Sequence, residues 1–389
     1  MRGPAIAAAL LLVCGGLAGS IRTSLTPQPP APRHLVPSPT IFLKADGRPF
    51  QWRGITAFGL LADIARGRDV SARQYLAWAA SRGLTVVRVL ATAKHLFDLT
   101  PEDGIRALPK LLEMAAALGL HVEVVALADT AHRPMDEAAH LRAIGAIAMK
   151  HANAIVEIAN EPAHPTQNRR LHDARELKRL AALVPGVVPV AWGSAEEDPA
   201  FAGGGYATMH FPRSSGSEGW GHVLALARGA ALIEDWRKPV VSDEPIGAGE
   251  AFIAGRRDND PARFRAAALL TRLAGLGSTF HYEGGLQGRV PSGRELECFD
   301  AWNESWTLLP DDIERSGTLR SAGEPGAAVR AFSTRAARAV FERQQGNAVW
   351  ALAIDVRGEP AIQWGTGWKQ VEVRRLDRVW LVTARRSTE

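Results

Sequence analysis

Residues 154–162 read AIVEIANEP. An apolar run, interrupted once by Glu157, stops abruptly at Asn160-Glu161-Pro162. The run reads as a buried strand. Its end delivers an amide and a carboxylate side by side, and a proline fixes the backbone directly after them. Three runs of the same character precede it: FQWRGITAF (50–58), LTVVRVLA (84–91) and HVEVVALAD (121–129). Four follow: VVPVAWGS (187–194), YATMHFPR (206–213), PVVSDEPIG (239–247) and STFHYEGG (278–285).

Helical stretches separate most of these runs. SARQYLAWAASRG (71–83) puts Tyr75, Leu76 and Ala79 on one face and ends at a glycine. GIRALPKLLEMAAALG (104–119) and DPARFRAAALLTRLAGLG (260–277) end the same way. The connection around 196–205 carries the weakest helical pattern. Eight strand-like runs alternating with helices over about 260 residues predict an α/β fold, a (β/α)8 barrel. A doubly wound open sheet is the competing architecture, but no glycine-rich phosphate turn follows the first run.

The flanks differ from this rhythm. MRGPAIAAALLLVCGGLAGS (1–20) has a single cation at Arg2, an apolar stretch from Ala5 to Cys14, and small residues around Gly16-Leu17-Ala18. Residues 1–19 therefore read as a signal peptide, which predicts a secreted or periplasmic protein without a transmembrane span. Lipid attachment at Cys14 is disfavoured by the bulky Val13 before it. Five prolines in residues 20–38 mark a linker. TIFLKADGRPFQW (40–52) reads as a hairpin around Asp46-Gly47, and the barrel is expected over 39–317. Residues 318–389 turn to short alternating strands and predict a small all-β, sandwich-like unit leaning on the barrel. Its Trp350, Trp364, Trp368 and Trp380 read as packing, with sugar binding as the alternative.

At 389 residues, 46% hydrophobic and 22% charged, the chain is ordinary globular material. The formal charge of +5 is spread over single arginines, so nucleic-acid binding is not expected. Cys298 is the one cysteine outside the expected signal, which leaves no intramolecular disulfide for the mature chain.

Barrel enzymes assemble their sites where the strands end. The fourth run ends in Asn160 and Glu161, the seventh in Asp243 and Glu244, the sixth in His210, and the eighth in His281, Tyr282 and Glu283. The second carries Arg88, the third ends in Asp129, and the fifth brings Trp192. Carboxylates on strands four and seven face one another across a barrel mouth. Acid-catalysed cleavage of a sugar acetal through a covalent intermediate uses two carboxyls about 5–5.5 Å apart.

VEIANEP on a fourth strand, with a glutamate on a seventh, resembles the clan A glycoside hydrolases, most closely the family five enzymes of cellulase and mannanase type. The resemblance covers about residues 40–310. It implies Glu161 as general acid/base and Glu244 as nucleophile of a retaining glycosidase acting on a poly- or oligosaccharide with no cofactor. It further implies Asn160 against a sugar 2-hydroxyl, Arg88 holding the nucleophile ionised, and His210 as a hydrogen-bonding histidine in the site. Three departures stand out. Pro212 occupies the place of a tyrosine that contacts the nucleophile, a contact Tyr282 is expected to take over. The eighth strand lacks the tryptophan that floors the sugar site, and Asp129 replaces a third-strand histidine.

Duller readings accompany each residue. Asp243 competes with Glu244 but is expected on the opposite strand face. Glu157 should point into the barrel and pair with Arg53 or Arg88, because a buried carboxylate needs a partner. Glu283 fits a third acid or a surface group. Trp192, a candidate sugar platform, fits packing as well, as do Phe211 and Trp220. His210 and His281 suggest a metal, yet no histidine-rich signature accompanies them, so none is expected. The departures also admit a non-catalytic carbohydrate-binding protein on the same barrel.

Overall fold

The computed structural model describes residues 34–387 except 196–197, 212–218, 245–246, 249–258 and 316, and the side chains of 247, 248 and 315. The expected signal peptide, with Cys14, and most of the expected linker lie outside the described residues. Eight parallel strands correspond one for one to the eight runs. They are β1 (Arg53–Thr56), β2 (Val86–Leu90), β3 (His121–Leu127), β4 (Ala154–Ala159), β5 (Val190–Gly193), β6 (Ala207–Met209), β7 (Val240–Ser242) and β8 (Gly277–Tyr282). Their order in the sheet is β5-β4-β3-β2-β1-β8-β7-β6. A parallel bridge between Ser194 and Thr208 joins β5 to β6 and closes the ring.

Period-two alternation sorts the side chains of each strand. Val87, Val89, Val124, Val156, Ile158 and Phe280 point outward and are fully or almost fully buried against the helices. At the lower end, Trp52, Val86, Ile155, Tyr206 and Val241 point inward and form a separate apolar cluster with Phe42. Higher up, the inward positions become polar: Arg88, Glu123, Glu157 and Thr208 are all completely buried. The barrel is thus greasy at its base and charged toward its mouth.

The base is plugged by a small antiparallel sheet of Val36–Pro37, Phe42–Leu43 and Pro49–Phe50. Residues 34–38, expected as the end of a linker, are therefore built in, with Leu35 buried beside Phe42 and Trp52. An apolar side chain within reach of an open barrel end is drawn out of water.

The helices begin as their sequences dictate. Thr100 Oγ1 accepts from the Asp103 amide at 3.1 Å, with Pro101 at the first helical position of Pro101–Ala116. Asp260 Oδ1 caps Pro261–Ala274 through the Ala262 amide at 3.0 Å. Gly104 lets its helix press on β2: a Cβ there would lie 1.9 Å from the Ala91 carbonyl oxygen. Between Gly193 and Ala207 the described residues form turns and no helix, in keeping with the weak pattern there.

The carboxyl-terminal unit is a five-stranded antiparallel sheet ordered Leu319–Ser321, Ala339–Gln345, Ala348–Ile354, Val379–Arg386, Trp368–Leu376. A two-stranded sheet, Val329–Ala331 with Gln363–Trp364, accompanies it. Alternation again decides the packing. Leu352, Ile354, Val379 and Leu381 join the barrel's own core, whereas Ala351, Ala353 and Val382 turn to a second, smaller core with Val329. Arg343 ties the two units by donating to the Glu314 and Gly317 carbonyls at 2.7 and 3.0 Å. Trp380 and Trp368 each lie beneath an arginine, Arg375 at 4.7 Å and Arg386 at 5.1 Å. No helix among the described residues is long and apolar enough to cross a membrane.

Candidate active site

The turn after β4 explains the proline. Glu161 has a φ of 43°, a left-handed backbone that a glutamate adopts only when its surroundings enforce it. Enforcement comes from several sides. The Glu161 carbonyl accepts from the His164 amide at 2.8 Å, and the Gln167 side-chain amide donates to the Asn160 carbonyl. Pro162 fills a notch over Gly193, where a Cβ would sit 2.5 Å from its ring. Glu161 is thereby turned up into the mouth, with 22% of its side chain exposed. Gln167, buried and bonded also to Thr130 at 2.9 Å, is a supporting residue that the sequence reading missed. Only its position just after a strand-end acid hinted at it.

Arg88 is the hub beneath the mouth. Its Nη1 donates to Glu244 Oε1 at 2.8 Å, and its Nη2 donates to Asn160 Oδ1 at 2.9 Å. Nε and Nη2 both reach Glu157 Oε2, at 3.1 and 2.9 Å. Asp243 Oδ2 lies 3.0 Å from Nη2. Of the two partners considered for Glu157, the structure selects Arg88. Arg53 points out of the barrel and donates to the Asn303 carbonyl at 2.7 Å. With Asn160 Oδ1 held by Arg88, the Asn160 amide nitrogen is the donor left for a substrate hydroxyl.

Burial works against the charge of Arg88, but Asp243, Glu157, Glu244 and Glu123 outweigh it and hold the guanidinium protonated well beyond its usual range. Among these acids the same burial does the reverse. It pushes Glu157 up to about 7 despite Arg88, and it pushes Glu123 well above the ordinary carboxylate range, with help from the charge on Glu157.

His210 stands between the two strand-end acids. Its Nδ1 is 2.9 Å from Glu161 Oε1; its Nε2 is 3.4 Å from Asp243 Oδ1 and 3.5 Å from Glu244 Oε1. Burial opposes a charge on the ring, yet Glu244, Asp243 and the hydrogen bond to Glu161 raise its protonation well above the usual histidine range. On the far side of Glu244, His281 Nε2 lies 3.8 Å from Oε2, and its Nδ1 is fixed by Thr56 Oγ1 at 2.9 Å. His281 is a site residue that strand parity alone could have identified, since it shares the inward face of β8 with Thr279. Glu161, His210 and Glu244 each offer an atom within 4.8 Å of one another, a span that one divalent cation would bridge. A metal-ligating histidine must be neutral. Here the imidazole is pushed toward its charged form and Glu244 already carries Arg88, so the trio suits proton handling better than metal binding.

Three expectations are corrected. Tyr282 does not approach Glu244. It follows the inward His281 and so points outward, where its hydroxyl meets Tyr75 Oη at 3.0 Å and donates to the Arg289 carbonyl. Trp192 likewise lies outside the barrel. Ala191 takes the inward position level with Glu157, and the indole packs over Gly203, where a Cβ would come within 2.0 Å of the ring. Asp243, expected to face away, converges on Arg88 and His210. Counted from the inward Val241, Asp243 keeps the inward parity of its strand, and it is Glu244, beyond the end of β7 at Ser242, that escapes the alternation and turns to the mouth as well.

The rest of the expected set is accounted for more simply. Asp129 does not enter the mouth; its Oδ2 accepts from the Lys94 and His95 amides at 2.9 and 3.1 Å and pins the loop after β2. Phe211 and Trp220 are buried in the core. Glu283 is half-buried at the start of the short helix Glu283–Leu286. Cys298 is buried and forms no disulfide.

No family model matches the chain, and no curated protein sequence does. Solved structures do match in fold. A protein described as a glycoside hydrolase superposes with a TM-score of 0.64 at 12% identity, covering 92% of this chain and 98% of the other. A glycoside hydrolase family 5 protein from Bacteroides vulgatus gives 0.62 at 12% identity, over 92% and 93%. A β-glucanase from Saccharophagus degradans, in complex with cellotetraose, gives 0.53 at 10% identity, over 72% and 94%. The chain therefore has the barrel fold of the clan A glycosidases. The first two matches span both the barrel and the appended sheet.

Proposed function

We propose that the protein is a retaining β-glycoside hydrolase acting on an oligo- or polysaccharide. The observation that carries this reading is the meeting of Glu161 and Glu244, from β4 and β7, with carboxylate oxygens within 4.8 Å. Nearest oxygens that close suit the pair used in double displacement, whose carboxyls stand about 5–5.5 Å apart, better than an inverting pair, which needs roughly 6.5–9.5 Å to seat a water. Glu244, buried and clamped by Arg88 at 2.8 Å, is suited to be the nucleophile. Glu161, more exposed and bonded to His210, is suited to be the acid/base.

In the first half-reaction a Glu244 oxygen attacks the anomeric carbon as Glu161 protonates the leaving oxygen. In the second, Glu161 removes a proton from water, the water oxygen attacks the same carbon, and the ester to Glu244 breaks. Asn160 is placed to donate to the sugar 2-hydroxyl. The expected signal peptide supports a reaction in the periplasm or the medium.

The test is hydrolysis of activated aryl β-glycosides by the wild type and by Glu161→Gln and Glu244→Gln. Both variants should stay folded and lose several orders of magnitude in turnover, on the order of 10⁴-fold or more. Full activity of Glu244→Gln would refute the assignment. Among the described residues no tyrosine touches Glu244, which favours one rival reading, a carbohydrate-binding protein without turnover. Binding on a polysaccharide panel with no reducing sugar released would establish that rival.

A further inference from the structure

Asp243 is a strand-end acid beside both proposed catalytic carboxyls to which the proposed reaction gives no role. It is fully buried, with Oδ2 3.0 Å from Arg88 Nη2 and Oδ1 3.4 Å from His210 Nε2. The same Nε2 lies 3.5 Å from Glu244 Oε1, while Nδ1 faces Glu161 at 2.9 Å. One imidazole thus touches the acid/base on one side and two carboxylates on the other. Only one of those two changes its charge in the cycle. When Glu244 bonds to the anomeric carbon and the glycosidic bond breaks, Glu244 becomes a neutral ester. His210 then loses one of its two opposing charges, just when Glu161 must be ionised to take a proton from water.

We infer, building on the hydrolase reading above, that Asp243 is a positioning residue that keeps His210 protonated and turned toward Glu161 while Glu244 is esterified. A protonated His210 donates Nδ1–H to Glu161 and so favours its carboxylate, the form a general base needs. Asp243 does not react, and Arg88 holds it in place through both halves of the cycle. His210 keeps its protons throughout; the proton lost to the leaving group and the one taken from water both pass through Glu161. Among the described residues the other titratable and charged groups around the ring are Arg88 from β2, Glu157 from β4 and, beyond Glu244, His281 from β8. Arg88 and a charged His281 oppose protonation of His210, and an ionised Glu157 supports it. With Glu244 neutral, Asp243 is the nearest carboxylate to Nε2 among the described residues.

The experiment uses Glu244→Gln, which removes the nucleophile's charge much as the ester does and needs no substrate. The chain is labelled with 15N-histidine, and the His210 signal, assigned by its loss in His210→Gln, is followed by NMR against pH. The expected result is a protonated His210 at pH 7 in Glu244→Gln, and a midpoint lower by about one unit or more once Asp243→Asn is added. A neutral His210 at pH 7 in Glu244→Gln, or the same midpoint with and without Asp243, overturns the proposal. Should the double variant not fold, single Asp243→Asn gives a kinetic readout on an activated aryl β-glycoside. Aglycone should appear in a burst at near wild-type rate, followed by a steady state slower by roughly tenfold or more. Equal slowing of both phases overturns the proposal. Because the NMR titration does not depend on turnover, a wild type that hydrolyses nothing counts against the functional reading alone.

Discussion

Glu157→Gln isolates the charge balance beneath the mouth. Glu157 is fully buried, and its two oxygens have fixed partners: Oε2 accepts from Arg88 Nε and Nη2 at 3.1 and 2.9 Å, and Oε1 accepts from Thr208 Oγ1 at 3.1 Å. A glutamine retains the first set with its oxygen and turns its amide to the Thr208 hydroxyl, which can accept as well as donate. At low pH, where Glu157 is itself neutral, the glutamine reproduces both sets of bonds and the loss should stay within about 1 kcal/mol.

The pH dependence carries the information. Burial raises the Glu157 carboxyl from 4.5 to about 7 in the folded chain. The native state therefore binds more protons than the unfolded state between those values, and stability falls as pH rises through that window. The effect is fully present above pH 7 and absent below 4.5. A rise of that size is worth on the order of 3 kcal/mol, most of it lost between pH 5 and pH 8. Glu157→Gln should lack this term, so its deficit relative to wild type shrinks or reverses on going from pH 5 to pH 8. Easier ionisation of Glu123 without its neighbour reduces the difference but keeps its sign. Urea unfolding of both proteins at pH 5, 6, 7 and 8 measures it. A difference between variant and wild type that is the same at all four values would refute the claim that Glu157 is held neutral by burial.

Arg88→Met strands several acids at once and should destabilise the fold by about 3–5 kcal/mol in urea at pH 8, with a smaller loss at pH 5, where Glu157 is protonated. Tyr282→Phe removes the bonds to Tyr75 and the Arg289 carbonyl and should cost about 1–2 kcal/mol of stability. It should leave kcat/KM on an aryl glycoside unchanged, whereas a drop with unchanged stability would put Tyr282 back in the site. Gly203→Ala drives a methyl into the Trp192 ring and should cost about 1–3 kcal/mol by thermal or urea unfolding. Leu352→Ala, at the barrel-facing side of the carboxyl-terminal sheet, should cost about 2–5 kcal/mol and lower a single shared transition. Two separate transitions would show that sheet and barrel do not share a core.

The barrel was legible because its signal is repeated. Eight apolar runs ending in polar residues leave little freedom of interpretation, and each became a strand. Arg88 and Glu161 were legible because they share the inward parity of their strands, and Asn160 because the Asn-Glu-Pro turn carries it; Glu244 was picked out only by the resemblance. Where parity was applied past the end of a strand it misled. β7 stops at Ser242, so Asp243 and Glu244 both turn to the mouth. Tyr282 and Trp192 failed for the opposite reason. Each lies within a strand whose parity is set by an inward neighbour, His281 or Ala191, which turns it out of the mouth. Thr56 carried no sequence signal of its own, and Gln167 only its place after a strand-end acid, because their importance arises from what folding brings beside them. The base plug at Leu35 was hidden by the prolines around it.

The charge balance also bears on the missing tyrosine. A tyrosine hydroxyl gives a nucleophile one neutral hydrogen bond. Glu244 instead has Arg88 Nη1 at 2.8 Å and the two imidazoles of His210 and His281 at 3.5 and 3.8 Å. Below about pH 7, Glu157 is held neutral by burial, and Glu123 is pushed the same way. Asp243, Glu244 and Glu161 then face the cations Arg88 and His210. Among the described residues that is three acids against two cations, an imbalance that favours one more proton, because an uncompensated buried charge is disfavoured. Of the three, Glu161 is the acid with access to a substrate, the place where that proton serves the reaction. Two carboxyls buried out of the substrate's reach would thus set the protonation of the one that acts on it. Raising the pH through the window in which Glu157 ionises should then weaken the first half-reaction before it affects binding. A kcat/KM that stays flat for a poor leaving group across pH 6 to 8 would refute that coupling.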